Sequence, residues 1–201
     1  MDTTAIILLS LLGLLVVLIL WGVGLFNRLV TLKNQVKNAW SQIDVQLQRR
    51  YDLIPNLIET VKGYMTYEKG TLESVITARN QASAARESIA KSGGTPTPED
   101  MKTLLVAEAS LKSSLPQIFA LAEAYPDLKA SQNMQILQEE LLSTENRIAF
   151  ARQGYNDQAM IYNTAQQQFP AVLLAAAFGH QHADLYEISD QEAKKPVKVA
   201  F

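Results

Sequence analysis

The chain has 201 residues, 48% of them hydrophobic and 19% charged, with a formal net charge of −2. That is one ordinary domain plus an appendage, without the basic excess of a nucleic-acid binder. It contains no Cys and only two His, so a disulfide framework, a thiolate metal site, a thiol nucleophile and Cys-linked lipid are excluded.

The first element is apolar. No charged residue lies between Asp2 and Arg28, and the 22 residues Ala5 to Phe26 read AIILLSLLGLLVVLILWGVGLF. As a helix this run covers roughly 33 Å, enough for a hydrocarbon core of about 30 Å. It lacks the basic start and small-x-small site of a cleaved leader. We therefore expect residues 1–4 to be a short tail and 5–26 to be a transmembrane helix contacting lipid, with Trp21 and Phe26 at its exit end. Arg28, Lys33 and Lys37 follow before the first acid, Asp44. The positive-inside rule then puts the short N-terminus outside and the remainder in the cytoplasm of a single-pass inner-membrane protein.

The same helix is expected to continue beyond the span. Val36, Trp40, Ile43, Leu47, Ile54, Leu57 and Val61 recur at helical spacing, with Arg50 on the same stripe. Pro55 removes one backbone bond and frees the carbonyl of Tyr51, so a kink or restart is expected near residues 51–55, with the end at Gly63 or near Tyr67. A second helix is expected over about Glu68 to Lys91. Ser92 to Pro98 is a loop; Thr97 can cap a third helix that begins at Pro98, bends at Pro116 and ends near Glu123. Tyr125, Pro126 and Asp127 read most simply as a connecting turn, with a binding loop as the alternative role of these candidate residues.

The last long helix carries the most regular pattern. Met134, Leu137, Leu141, Thr144, Ile148, Ala151, Tyr155, Gln158, Tyr162, Ala165 and Phe169 alternate steps of three and four until Pro170. That spacing favours near-parallel packing against neighbours. The pattern as a whole is all-α, an antiparallel up-and-down four-helix bundle growing from the membrane helix. Ala171 to Gly179 is uncharged and short, and reads as a bundle-packing segment in preference to a membrane insertion. Residues 187–201 read as a mobile or edge-docked tail.

Several stretches resemble a known family. QLQRRYDLIPNLIETVKGY, from Gln46 to Tyr64, is similar to the signature of the LemA family of bacterial membrane proteins. Ala78-Arg79-Asn80, EAYPDLKA from Glu123, ENRIAFARQGYND from Glu145, Tyr162-Asn163 and Phe169-Pro170 match in the same order, so that the resemblance covers residues 20–186. It implies a membrane anchor and a helical bundle, here residues 27–186, with no established activity and hints of envelope-stress or membrane-remodelling roles. The ending HQHADLY, from His180 to Tyr186, departs from the family's more aromatic one.

Within these motifs Arg49, Arg50 and Asp52, beside Pro55 and Asn56, admit two roles. They form a polar notch where a partner peptide or lipid headgroup docks, or they pair with Glu140 or Glu145 and set helix register. Glu145, Arg147, Tyr155, Asn156, Phe169 and Pro170 are further structural or interaction candidates. The Tyr-Asn pairs at 155–156 and 162–163 read as core packing with polar partners. His180 and His182 are two apart, the wrong spacing for a zinc helix. No phosphate loop, nucleophile elbow or paired catalytic carboxylate is present.

The expectation is therefore a non-enzymatic, membrane-anchored helical scaffold of the bacterial envelope, without cofactor, metal, nucleic-acid or small-molecule ligand. It is expected to be homo-oligomeric, with Trp40, Ile43, Leu47 and residues 171–178 as contact surfaces, and to have room for a membrane-protein partner. The alternatives are an adaptor for envelope stress or membrane-protease quality control, and a membrane-remodelling protein.

Overall fold

The computed structural model describes residues 2–64 and 68–187. Among them the chain is helical, with no strand: α1 Thr3–Lys62, α2 Lys69–Lys91, α3 Pro98–Glu123, α4 Pro126–Lys129, α5 Gln132–Gln167 and α6 Val172–Ala175. The all-α bundle led by an apolar helix is as expected. Most of the tail at 187–201, and the possible end of α1 near Tyr67, lie outside the described residues.

α1 has 60 residues and is roughly 90 Å long. Its first part holds a window long and apolar enough to cross a membrane, and none of that window is buried against the rest of the chain. From Leu29 onward one face turns inward: Leu29, Val36, Trp40, Ile43, Leu47, Ile54, Leu57 and Val61 are all buried. α5 runs antiparallel along this face. Leu29 packs with Ala165, Trp40 meets the Tyr155 ring edge-on at 5.6 Å, and Arg50 meets Glu145. α2 and α3 form a second hairpin whose apolar faces close the core. Full burial of one such aliphatic side chain contributes about 1.5–3 kcal/mol, a large share of a typical domain's net stability.

The hairpin turn follows its local chemistry. Gly93 and Gly94 take φ of +111° and +72°, where a side chain is strained. Thr97 then caps α3: the Asp100 amide donates to Thr97 Oγ1 at 3.2 Å, and the Thr97 amide donates to Asp100 Oδ2 at 3.1 Å. Pro98 occupies the first turn, where its missing N–H costs nothing.

Five expectations change. Of the kink or restart expected at Pro55, the restart does not occur: α1 runs through the proline, and the freed Tyr51 carbonyl accepts from Arg79 Nε at 3.0 Å. Tyr125 to Asp127 is more than a turn: Tyr125 precedes the one-turn helix α4, pinned by fully buried Leu128. Trp40, Ile43 and Leu47 are not outward contact surfaces; they lie in the core, where α5 covers them. Phe169 leaves the α5 stripe, since the helix ends at Gln167, and its ring is 80% exposed. Residues 171–178 are not core: Ala171 and Ala175 are buried, but Val172, Leu173 and Phe178 face outward.

Candidate functional site

The QLQRRYD stretch of α1 is the point where all four long helices are tied at one level. Towards α2, Arg86 lies across Asp44, with Nε 2.7 Å from Oδ1 and Nη2 donating to Oδ2 at 2.8 Å. Its Nη1 donates to Gln48 Oε1 at 2.5 Å, and Gln48 Nε2 donates to Asp52 Oδ1 at 2.6 Å. Asp44, Gln48 and Asp52 are spaced four apart, so they form one row on the helix surface.

Towards α3 and α5 the ties are ionic. Arg50 pairs with Glu108 of α3 and, at 2.6 Å, with Glu145 of α5. Tyr51 donates its hydroxyl to the same Glu108. Arg49 reaches Glu140 at 2.6 Å on the exposed rim. Arg50 and Glu108 are only 5% and 6% exposed, so the pair sits in the core. Burial raises the Tyr51 phenol to about 12, against the opposing pull of the Arg50 charge. A neutral phenol is the form that can donate to the carboxylate.

Pairing of Arg49 and Arg50 with Glu140 and Glu145 is thus present, while Asp52 belongs to the Gln48 row. Glu108 was missed. Its signal was available: on α3 the apolar stripe Met101, Leu104, Leu111 and Ile118 is interrupted by a carboxylate, as Arg50 interrupts the stripe of α1. Beside the pair, Arg50, Lys112, Leu115, Phe119, Leu141 and Glu145 line a cavity of about 330 Å³. Pro55 borders a smaller one, about 160 Å³, with Ile58, Ile76 and Arg79. Asn56 is exposed. Arg147 is exposed too, with no carboxylate in ion-pair reach among the described residues.

Tyr155 and Asn156 belong to a different arrangement. Asn156 donates to the Tyr186 carbonyl at 3.3 Å and accepts from the Tyr186 amide at 2.8 Å. Asn163 does the same with Ala183, at 2.8 and 2.9 Å. Seven residues of helix rise roughly 10.5 Å and three of extended chain roughly 10 Å, so the two repeats match. The segment 180–187 is thereby laid antiparallel on α5. Tyr155 donates to the Asp184 carbonyl at 2.8 Å, and Tyr162 meets His180 Nδ1 at 2.9 Å. Burial raises the Tyr155 and Tyr162 phenols; burial, then the nearby Lys33 charge, lowers His180. Tyr186 fills the space over Trp40, its phenol pushed up by burial to about 12.

The remaining candidates lie apart. Tyr125, Pro126 and Asp127 sit at the far end of the bundle, where Lys129 approaches Glu123 at 3.6 Å. Phe169 and Pro170 lie at the opposite end against Trp21 and Leu25. Among the described residues no group of three or more His, Asp or Glu is placed to hold a metal.

Fold and site together define a class of protein: an all-helical bundle built around one long apolar-led helix and braced at mid-height by buried polar side chains. A family model described as the LemA family matches residues 39–201. The chain therefore belongs to the LemA family. It is similar to Magnetosome protein MamQ 2 of Paramagnetospirillum magneticum, 25% identical over 175 residues, covering 81% of this chain and 64% of that protein. Magnetosome protein MamQ of Magnetospirillum gryphiswaldense is 25% identical over 174 residues, 80% and 64% of the two chains. Protein LemA of Metamycoplasma hominis is 27% identical over 177 residues, 88% and 73%. The chain thus spans about 64% of the length of these MamQ relatives.

Proposed function

We propose that this chain is a membrane-anchored helical scaffold of the bacterial envelope that works through its helix faces and not through a reactive group. The observation that carries this reading is the continuity of α1: one uninterrupted helix passes from an exposed apolar lead into the core of the bundle. Such a helix transmits the orientation of the anchor to the bundle without a flexible linker. The polar side chains at mid-height are consumed in cross-bracing, which supports a non-enzymatic role. Bundle and span meet on the side where Arg28, Lys33 and Lys37 lie, which supports a cytoplasmic bundle.

Self-assembly is part of the proposal. Leu142 and Phe150 project into solvent from α5, eight residues and therefore about 80° of helix rotation apart, on the two flanks of one exposed face. Anchoring in a plane raises the effective concentration of copies that could share this face. In nanodiscs loaded at high density the chain is expected to form oligomers, and Phe150→Glu is expected to return it to monomer at unchanged helicity. A wild-type chain that stays monomeric there would refute self-assembly.

A further inference from the structure

Between Asp157 and Asp184 the sequence holds no Asp, Glu, Lys or Arg. In a water-surrounded bundle so uncharged a stretch would bury its apolar side chains. Up to Gln167 it does so, through Ala159, Tyr162 and Ala165, but within residues 169–178 only Ala171 and Ala175 are buried, with Ala175 grouped with Leu29 and Ala165. The large ones face out: Phe169 is 80% and Leu173 69% exposed, with Val172 and Phe178 beside them.

The position of this surface identifies what covers it. Phe178 packs edge-on against Phe26 of α1, ring centroids 5.1 Å apart. Phe169 and Pro170 line a cavity of about 240 Å³ with Trp21 and Leu25. Trp21 stands seven residues before Arg28, roughly 10 Å back along the helix into the apolar run. A bilayer that surrounds Trp21 and Leu25 also reaches Phe169. α6 is four residues long, roughly 6 Å, far too short to cross. Its place is the boundary between headgroups and acyl chains, where short apolar surfaces lie flat.

We propose that residues 169–178 are a lateral foot of the bundle, seated through Phe169, Val172, Leu173 and Phe178 in the lipid interface of the same bilayer that α1 crosses. This rests on the anchoring reading given above. The occupant is lipid because the patch is continuous with the apolar surface of α1 and lies at its depth. Span and foot together make two attachments, and the bundle then stands at one fixed tilt on the membrane.

The test uses the full chain, which has no native Cys, in phosphatidylcholine–phosphatidylglycerol vesicles. Single variants Leu15→Cys in the span, Leu173→Cys in the foot and Val106→Cys on α3 carry a nitrobenzoxadiazole fluorophore. Val106 is 67% exposed, a match for Leu173, but lies near the level of Arg50, roughly 30 Å beyond Arg28. Lipids spin-labelled at shallow or deep acyl positions serve as quenchers. The foot predicts several-fold stronger quenching of the Leu173 probe by the shallow label, of the Leu15 probe by the deep label, and of the Val106 probe by neither. A quenched Leu15 probe with a Leu173 probe open to aqueous iodide overturns the foot and leaves the anchor standing. A Leu173 probe shielded from both lipid and iodide, with Leu173→Cys chains crosslinking to each other, overturns it in favour of a second copy. An unquenched Leu15 probe overturns the anchor itself, and the foot with it.

Discussion

A buried arginine is tolerable only with a carboxylate beside it, and Arg50 has two, one of them, Glu108, as buried as itself. Removing one member of such a pair strands the other charge, at a cost of about 3–5 kcal/mol, whereas replacing both by apolar residues of similar size is often neutral. Glu108→Ala is therefore expected to lower the thermal midpoint sharply in detergent micelles, and Arg50→Met with Glu108→Leu to recover most of it. If the double variant melts no higher than the single, the pair does more than set register. Tyrosines give a second test. A phenol whose pKa is raised by folding contributes its full stability below the unfolded value of about 10, and loses it as pH climbs through the folded value. Tyr51 and Tyr186, both at about 12, should thus weaken the fold between about pH 10 and 12, by on the order of 2–3 kcal/mol each. Phenolate absorbance followed with helicity would show the two changing together, and Tyr51→Phe should soften the alkaline loss. The oddness of Glu108 on an apolar stripe is legible in sequence; its pairing with Arg50 and Tyr51 is not, because the three are joined only by the packing of α1 against α3.

Among the elements, α1 shows how a helix carries a proline. Pro55 leaves the Tyr51 carbonyl without its intrahelical donor, and Arg79 of α2 supplies a substitute. Arg79→Ala should cost about 1–3 kcal/mol, the penalty of an unmet buried acceptor. With Pro55→Ala in place the helix can satisfy the carbonyl itself, and the Arg79→Ala penalty should shrink. Equal penalties in both backgrounds, measured by thermal melting, would show that Arg79 acts elsewhere. Two helix boundaries were readable because they rest on local chemistry: Gly93 and Gly94 follow the end of α2, and Thr97 and Pro98 open α3. The laying of 180–187 on α5 was not readable. The Tyr-Asn pairs were visible as a seven-residue repeat, but only the extended conformation of the partner turns that repeat into a matched ladder.

For the whole molecule, sidedness is the property that everything else inherits. Arg28, Lys33 and Lys37 follow the apolar lead of α1, and the proposed function therefore carries the expectation of a bundle on the cytoplasmic side. In intact bacterial cells Val106→Cys is expected to resist a membrane-impermeant maleimide until the envelope is permeabilised; Thr3→Cys is expected to react at once. The reverse pattern would place the bundle outside. The amino-acid sequence by itself determined the all-α class, the end of α2, the start of α3 and the apolar lead, because periodicity, caps and runs of apolar residues act within a few residues of chain. Only the tertiary structure decided that Trp40, Ile43 and Leu47 are sealed inside by α5, that Arg50 finds Glu108, and that Phe169 and Leu173 stay bare. The physical reason is common to all three. An apolar or charged side chain states what kind of neighbour it needs, and the folding of distant segments onto one another chooses which neighbour it receives.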